Sequence, residues 1–241
     1  MTDQTSTPTV VLVHGAFADA GSWNGVTERL LAAGVKVLAP ANPLRGLISD
    51  SDYITSVLSQ VEGPVLAVGH SYGGAVITNA ALEAGNVVGL VYVAAFAPDE
   101  GETLGEREGD SRDSVLSAAL LPRMYPTGGG ESAAELYVDP AKFHEVFAAD
   151  VPEVQSGVLA AAQRPVAAAA FDEKTRSAAW KTLPSWAVVA TGDKAAGADV
   201  ILSMAQRAKA DILELEGSHV IMISQPHAVT EVVLKALKAV S

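Results

Sequence analysis

The stretch Gly69-His70-Ser71-Tyr72-Gly73-Gly74 restricts the fold of this chain more than any other sequence feature. It follows the apolar run Pro64–Val68, which predicts a buried strand, and precedes the small, apolar stretch Ala75–Ala84, which predicts a helix. A serine between glycines at a sharp strand-to-helix turn is typical of an exposed nucleophile, because glycines leave room for close backbone approach. We therefore interpret Ser71 as a candidate nucleophile.

The composition favours one α/β domain. Hydrophobic residues make up 49% of the 241 residues and charged residues 18%, as expected for parallel strands buried on both faces. The formal net charge of −12 argues against a nucleic-acid partner or an anionic membrane. The absence of cysteine excludes disulfides, thiolate metal sites and a cysteine nucleophile.

The N-terminal stretch predicts no targeting segment. Residues 1–8 are polar and lack the basic and apolar regions of a signal peptide, so we expect a loose tail there. No apolar run approaches the ~20 residues that span a bilayer. We expect a cytoplasmic protein.

Short apolar runs alternate with helical patterns along most of the chain. This alternation predicts a doubly wound six-stranded parallel sheet with helices on both faces. Besides Pro64–Val68, the predicted strands are Thr9–Val13, Val35–Ala39, Val87–Ala94, Ser185–Thr191 and Asp211–Glu216. Besides Ala75–Ala84, the predicted helices are Trp23–Ala33, a helix from Asp50 or Ser51 to Val61, Asp199–Lys209 and Gln225–Ala239.

The alternation stops between Phe96 and Pro184. A strandless segment of this length predicts a helical cap, residues 98–184, inserted after the fourth strand into a core of residues 1–97 and 185–241. Gly128-Gly129-Gly130 is interpreted as a flexible tip of this cap. The predicted cap helices are Asp113–Leu121, Pro140–Ala149, Pro152–Ala162 and Pro165–Phe171.

A serine nucleophile needs a base, and the base needs an acid that orients it. The order expected after such a serine is an acidic residue and then a histidine. Asp193 follows the fifth predicted strand and His219 the sixth, so we predict a Ser71-Asp193-His219 triad. Asp199, which is also a candidate helix cap, and Asp99, after the fourth strand, remain alternatives for the acid.

The other four of the five histidines fit the role of base less well. We expect His14 to support the loop after the first strand and the His70 side chain to point away from Ser71. His144 lies in the predicted cap, and His227 in the first turn of the last helix.

An oxyanion hole requires two backbone N–H groups. We predict the N–H groups of Tyr72 and Ala16, with Phe17 as the alternative to Ala16. No spacing of His, Asp and Glu indicates a metal centre, and no G-x-G-x-x-G motif follows a strand. We expect no cofactor.

These motifs resemble the α/β-hydrolase superfamily over nearly the whole chain. The segment Val13-His14-Gly15-Ala16 resembles the oxyanion loop of a compact group that includes plant hydroxynitrile lyases, methyl-ester esterases and bacterial pyrethroid-type carboxylesterases. That group lacks N-terminal antiparallel strands, as this chain does. The run Gln163-Arg164-Pro165, followed by Trp180-Lys181-Thr182-Leu183-Pro184-Ser185-Trp186, resembles uncharacterised bacterial members. We interpret the first run as a cap-to-core latch in which Arg164 bonds backbone carbonyls.

The resemblance also implies an activity. The lyases carry a threonine after the loop histidine and a lysine after the catalytic histidine, where this chain has Gly15 and Val220, so an esterase is favoured. Dehalogenases and epoxide hydrolases carry an aspartate at the nucleophile position, where this chain has Ser71. Ser71 therefore argues against both activities.

We therefore expect a serine hydrolase acting on small to medium apolar carboxylic esters. A lyase, a C–C hydrolase, a perhydrolase or a small-molecule receptor in the same site remain alternatives. The sequence leaves the oligomeric state open, a homodimer included.

Overall fold

The computed structural model describes residues 7–241, so most of the predicted tail, residues 1–8, lies outside the described residues. The strands are β1 (Thr9–Val13), β2 (Val37–Leu38), β3 (Val65–His70), β4 (Val87–Val93), β5 (Leu120–Gly128), β6 (Glu131–Val138), β7 (Val166–Ala167), β8 (Ser185–Ala190) and β9 (Asp211–Leu215). The helices are α1 (Asn24–Ala32), α2 (Leu47–Ser59), α3 (Tyr72–Ala84), α4 (Leu104–Gly109), α5 (Pro140–Phe147), α6 (Glu153–Ala162), α7 (Ala198–Arg207), α8 (Ile221–Ser224) and α9 (Pro226–Val240).

The main sheet confirms the predicted doubly wound architecture. Its strand order is β2-β1-β3-β4-β8-β9, and all neighbouring strands are parallel. The chain runs from β1 outward to β2 and then returns to β3 on the other side of β1. Because the strand order reverses there, the carboxyl ends of β1 and β3 border the crevice where open α/β sheets place their sites.

The central strands are apolar on both faces because helices cover both. Every residue of β3 is buried, and Val10–Val13 of β1 are fully buried. Helix α1 packs against α9, and α2 against α3. Helix α2 begins at Leu47, ahead of the predicted cap at Asp50 or Ser51, so Asp50 lies inside the first turn. Within residues 7–241, no helix has both the length and the apolar character needed to cross a bilayer.

The turn between β3 and α3 is strained. Ser71 has φ 52° and ψ −123°, which a residue with a side chain rarely adopts. A Cβ on Gly73 would lie 2.4 Å from the carbonyl oxygen of Val13 and 2.8 Å from that of His14. A Cβ on Gly15 would lie 2.7 Å from the Ser71 Cβ. Glycine at both positions lets the start of α3 and the end of β1 approach each other.

The inserted segment is not only helical, which corrects the predicted helical cap. Strands β5 and β6 form an antiparallel hairpin, and β7 pairs with β6. Gly128-Gly129-Gly130, predicted to be a flexible tip, forms the reverse turn with φ values of 101°, 60° and 86°. Such φ values are easily reached by glycine alone.

Two predicted cap helices are wrong and two are confirmed. In 113–121 a short 3₁₀ turn, Ser117–Ala119, leads into β5, whose Pro122 and Pro126 are tolerated on an edge strand but not inside a helix. In 165–171, β7 is followed by the 3₁₀ turn Ala168–Phe171. The predicted helices at 140–149 and 152–162 correspond to α5 and α6.

The loop after β1 is held by His14, as predicted. The Nδ1–H of His14 donates to the Gly15 carbonyl at 2.9 Å, and Nε2 accepts the Asn42 N–H at 2.9 Å. Asn42 also donates its side-chain amide to the His14 carbonyl at 3.1 Å. This pairing requires a neutral imidazole, and burial lowers the pKa of His14 to about 4.

Replacing Gly73 with alanine should destabilise the protein, because the new methyl group would overlap two carbonyl oxygens of β1 and its loop. We expect Gly73→Ala to lower the free energy of unfolding in urea by about 2 kcal/mol or more. The matched control is Gly157→Ala in α6, where a Cβ meets nothing within 4 Å. It should raise stability by about 0.5–1 kcal/mol. Equal stability of the two variants would contradict this account of the turn.

His14 should make stability depend on pH. Its pKa is about 4 in the folded protein and 6.5 in an ordinary environment, so between these values the unfolded chain binds the extra proton. The stabilisation is therefore complete above pH 6.5 and is lost as the pH falls towards 4. Urea unfolding across this range should show a smaller loss of stability on acidification for His14→Gln than for the wild type. An identical pH dependence would show that His14 is not held neutral.

Candidate active site

Main-chain hydrogen bonds hold Ser71 in place, and its hydroxyl makes no hydrogen bond to helix α3. Its N–H donates to the Val93 carbonyl at 3.3 Å, and its carbonyl accepts the N–H groups of Gly74 at 2.9 Å and Phe96 at 3.2 Å. Ser71 is the N-cap residue of α3, yet its side chain makes no capping hydrogen bond. The hydroxyl is thus held at the carboxyl end of the sheet by backbone contacts to β4 and its following loop.

His219 and Asp193 form a buried pair. The Nδ1–H of His219 donates to Asp193 Oδ2 at 2.7 Å, and both side chains are 1% exposed. Asp193 Oδ1 accepts the N–H groups of Ala195 at 2.9 Å and Ala196 at 3.0 Å. The carboxylate therefore fixes the His219 tautomer and leaves Nε2 with an unshared electron pair.

Neighbouring strands bring this pair together. Strands β8 and β9 are adjacent, with Ala190 paired to Leu215. Beyond their ends the Gly192 N–H donates to the Gly217 carbonyl at 2.9 Å, which joins the two loops. Two residues far apart in sequence thus meet because each directly follows one of two paired strands.

The alternative acids are engaged elsewhere. Asp199 accepts the Ser111 hydroxyl at 2.6 Å and the Arg112 N–H at 3.0 Å. Although burial opposes it, these hydrogen bonds lower the pKa of Asp199 to about 2. Asp99 forms an ion pair with Lys181. The structure brings Asp193, and neither of these alternatives, to His219.

Ser71 and His219 line one small cavity. Ala16 and Tyr72 also border it, and its volume is about 10 Å³, roughly the space of one water molecule. Among residues 7–241, the N–H groups of Ala16 and Tyr72 have no hydrogen-bond acceptor. Two residues whose backbone N–H groups are unpaired therefore line the same cavity as the serine and the histidine.

The N–H group of Phe17, the alternative oxyanion-hole donor, already makes a hydrogen bond. Its N–H donates to the Arg164 carbonyl at 3.0 Å. This bond also corrects the predicted latch, because the main-chain carbonyl of Arg164, and not its guanidinium, joins the inserted segment to the core loop. Gln163 contributes within the insert, where its side-chain amide bonds both the N–H and the carbonyl of Val138 at 2.9 Å.

His70 supports the candidate base, a role that sequence reasoning missed. Its Nε2–H donates to the His219 carbonyl at 3.0 Å, and the two ring centroids are 4.7 Å apart. Complete burial lowers the pKa of His70 well below its usual value, so the ring stays neutral. The position of His70 beside Ser71 in sequence was a signal that it lies in the site.

The insert also contacts the histidine loop. The ring centroid of Phe147, at the end of α5, lies 4.8 Å from that of His219. Asp150 accepts the hydroxyl of Ser218 and, at 2.6 Å, that of Ser224. No spacing in the sequence could indicate Asp150, because the contact depends on how the insert folds back over the core.

Tyr72 is anchored by a buried carboxyl group. Its phenol donates to Asp50 Oδ2 at 2.8 Å, and Asp50 also accepts the Arg45 N–H at 3.1 Å. Burial raises the pKa of Asp50 and raises that of Tyr72 well above its usual value. The contact fixes the side chain of Tyr72, a residue that lines the cavity beside Ser71.

Residues 7–241 contain no group of three or more His, Cys, Asp or Glu side chains arranged to hold a metal ion. The reactive side chains that line the cavity include the Ser71 hydroxyl and the His219 imidazole, which is paired with the Asp193 carboxylate.

Comparison with known proteins finds a relative whose sequence matches part of this chain. The chain is 33% identical over 129 residues to a carbendazim hydrolyzing esterase of Nocardioides sp. (strain SG-4G). The match covers 48% of this chain and 48% of that protein, so it spans about half the length of each.

Solved structures show the same fold over nearly the whole chain. Polyneuridine aldehyde esterase superposes with a TM-score of 0.79 at 20% identity, covering 95% of this chain and 99% of that one. The pyrethroid hydrolase PytH superposes with a TM-score of 0.76 at 21% identity, covering 96% of this chain and 98% of that one.

The family profile described as "Alpha/beta hydrolase family" matches residues 10–232. This range includes the main sheet, the insert, and all of Ser71, Asp193 and His219. The chain belongs to the alpha/beta hydrolase family.

Proposed function

We propose that this protein is a serine carboxylic-ester hydrolase in which Ser71 is the nucleophile, His219 the base and Asp193 the residue that orients it. The observation that carries the proposal is the buried Asp193–His219 hydrogen bond at the cavity that Ser71 also lines. Serine is a weak nucleophile unless a positioned base takes its proton, and this pair is such a base.

The first half of the reaction forms an acyl-enzyme. Ser71 Oγ attacks the ester carbonyl carbon while His219 Nε2 takes the hydroxyl proton, and Asp193 stabilises the resulting imidazolium. The carbonyl oxygen gains the negative charge and accepts the N–H groups of Ala16 and Tyr72. The C–O bond to the alcohol then breaks, and the alcohol leaves with the proton of His219.

The second half releases the acid. Water attacks the acyl carbon as His219 takes its proton, and the same N–H groups stabilise the second oxyanion. The bond to Ser71 Oγ then breaks, His219 returns the proton to the serine, and the carboxylic acid leaves. Apart from the water molecule, the reaction uses only groups of this chain.

The cavity walls support an apolar substrate. Besides the polar groups already named, Phe96, Leu116 and Phe171 line the cavity. The sequence relative and both fold relatives carry esterase or hydrolase names, which supports ester hydrolysis. Gly15 and Val220 occupy the positions where the resemblance to lyases would require threonine and lysine, so we propose hydrolysis and not cyanohydrin cleavage.

Replacing the nucleophile should abolish turnover. We expect Ser71→Ala to lower kcat for p-nitrophenyl acetate and butyrate by about 10⁴-fold or more, because no neighbouring group replaces the hydroxyl. The matched control is Ser59→Ala, an exposed serine at the end of α2, which should keep full activity. Comparable activity of wild type and Ser71→Ala would refute the proposal.

Two aspartate variants test which carboxylate orients His219. Asp193→Asn should lower kcat by about 10⁴-fold, because an amide no longer fixes the productive tautomer of His219. Asp199→Asn removes a carboxylate that bonds Ser111 and Arg112, while His219 bonds Asp193, and should lower kcat by less than about tenfold. The reverse ranking in steady-state assays would identify Asp199 as the acid.

A further inference from the structure

A second pocket lies behind the wall of the Ser71 cavity. Its volume is about 70 Å³, against about 10 Å³ for the Ser71 cavity. The Ser71 cavity thus has space for roughly one water molecule and none for an ester of ordinary size. A substrate that reaches Ser71 therefore requires further space, and this pocket adjoins the Ser71 cavity at Phe17 and Phe147.

Two phenylalanine rings separate the two cavities. Phe17 and Phe147 line both, and their ring centroids are 6.0 Å apart at an interplanar angle of 86°. Phe17 is fixed at φ 60° by its N–H bond to the Arg164 carbonyl. Phe147 is the last residue of α5, where the helix no longer holds the chain that follows. Rotation of the Phe147 ring would therefore join the two cavities.

The pocket is lined mainly by apolar side chains. Its lining is mostly carbon side chains of the insert, of the loop after β1 and of the segment after His219 that includes α8: Phe17, Phe143, Phe147, Ala162, Val220 and Ile223. Among its polar residues, Asp19 accepts the Gly21 N–H at 2.7 Å, and the Ser22 hydroxyl donates to the Asp19 carbonyl at 2.7 Å. Asp19 is exposed and places a negative charge at this pocket. The pocket fits an uncharged hydrocarbon group and repels a carboxylate.

The position of His219 indicates whether the acyl or the alcohol half of an ester would enter the second pocket. In the proposed reaction the leaving oxygen must lie beside His219, because His219 supplies its proton. Val220, the next residue, lines the second pocket, and Phe147 packs on the His219 ring at 4.8 Å. A group attached to the leaving oxygen therefore points past His219 towards the second pocket.

We propose that this second pocket binds the alcohol group of the substrate, and that Phe147 turns aside to admit it. The substrates are then uncharged esters of apolar alcohols, such as alkyl chains longer than methyl. This inference rests on the proposed function and adds to it the half of the ester that determines specificity.

The test compares methyl acetate, hexyl acetate and methyl hexanoate by titration of released acid. For the wild type, kcat/KM for hexyl acetate should exceed that for methyl acetate by about tenfold or more, because burial of each methylene is favourable. The probing variant is Ala162→Trp, which fills the pocket from an exposed position on α6. The matched control is Val158→Trp, which lies exposed on the same helix and lines neither cavity.

Ala162→Trp should lower kcat/KM for hexyl acetate by about tenfold or more and change that for methyl acetate and methyl hexanoate by less than about twofold. Val158→Trp should change none of the three. Three outcomes would overturn the assignment of this pocket to the alcohol group. They are loss of activity on methyl hexanoate alone, equal loss on all three esters, and no loss. Phe147→Ala should raise the ratio of hexyl to methyl acetate turnover, and a fall in that ratio would contradict the role of Phe147.

A binding measurement separates this inference from the proposed function. Hexyl methyl ether has no carbonyl for Ser71 to attack, so saturation-transfer NMR measures its binding without turnover. Ala162→Trp should weaken its binding about tenfold and Val158→Trp should leave it unchanged. If the wild type hydrolyses no ester, the proposed function fails while this result still decides the pocket. Absent or unaltered binding would refute the pocket assignment.

Discussion

The strained turn at Ser71 is the constraint on which the site depends. A serine at φ 52° costs about 1–3 kcal/mol and persists only where surrounding contacts determine it. Here its N–H and carbonyl are bonded to β4 and the loop after it, while α3 begins against the end of β1. The contact with β1 is close enough to require glycine at position 73. Ser71, the proposed nucleophile, is therefore positioned by backbone contacts, before any side chain contributes.

The parallel sheet then determines what else reaches the serine. Loops after β1, β3, β8 and β9 leave the same edge, and they carry Ala16, Ser71, Asp193 and His219. The insert covers this edge, with Phe147 on the His219 ring and Asp150 on the hydroxyl of Ser218. The resulting cavity has space for roughly one water molecule, and electrostatic interactions are stronger where little water is present. The same covering means that access to Ser71 depends on side chains of the insert.

The sequence was sufficient to predict the core and the residues at its strand ends, because these follow from local patterns. Buried parallel strands are continuous apolar runs, and the glycines around Ser71 reflect contacts within a few residues. The hairpin of the insert was missed because Pro122 and Pro126 argue against a strand unless it is known to be an edge. The roles of His70 and Asp150, and the bond between Phe17 and Arg164, depend on tertiary contacts that no spacing encodes. The choice between Asp193 and Asp199 likewise required knowledge of which carboxylate the folded chain brings to His219.

The central claim is that the activated group of this chain is the Ser71 hydroxyl. It is tested most directly by treating the protein with an alkyl p-nitrophenyl phosphonate and locating the adduct by tandem mass spectrometry. The account predicts one phosphonyl group per chain, attached to Ser71, with release of one p-nitrophenol. Attachment to any other residue, or no adduct on a folded protein, would contradict it.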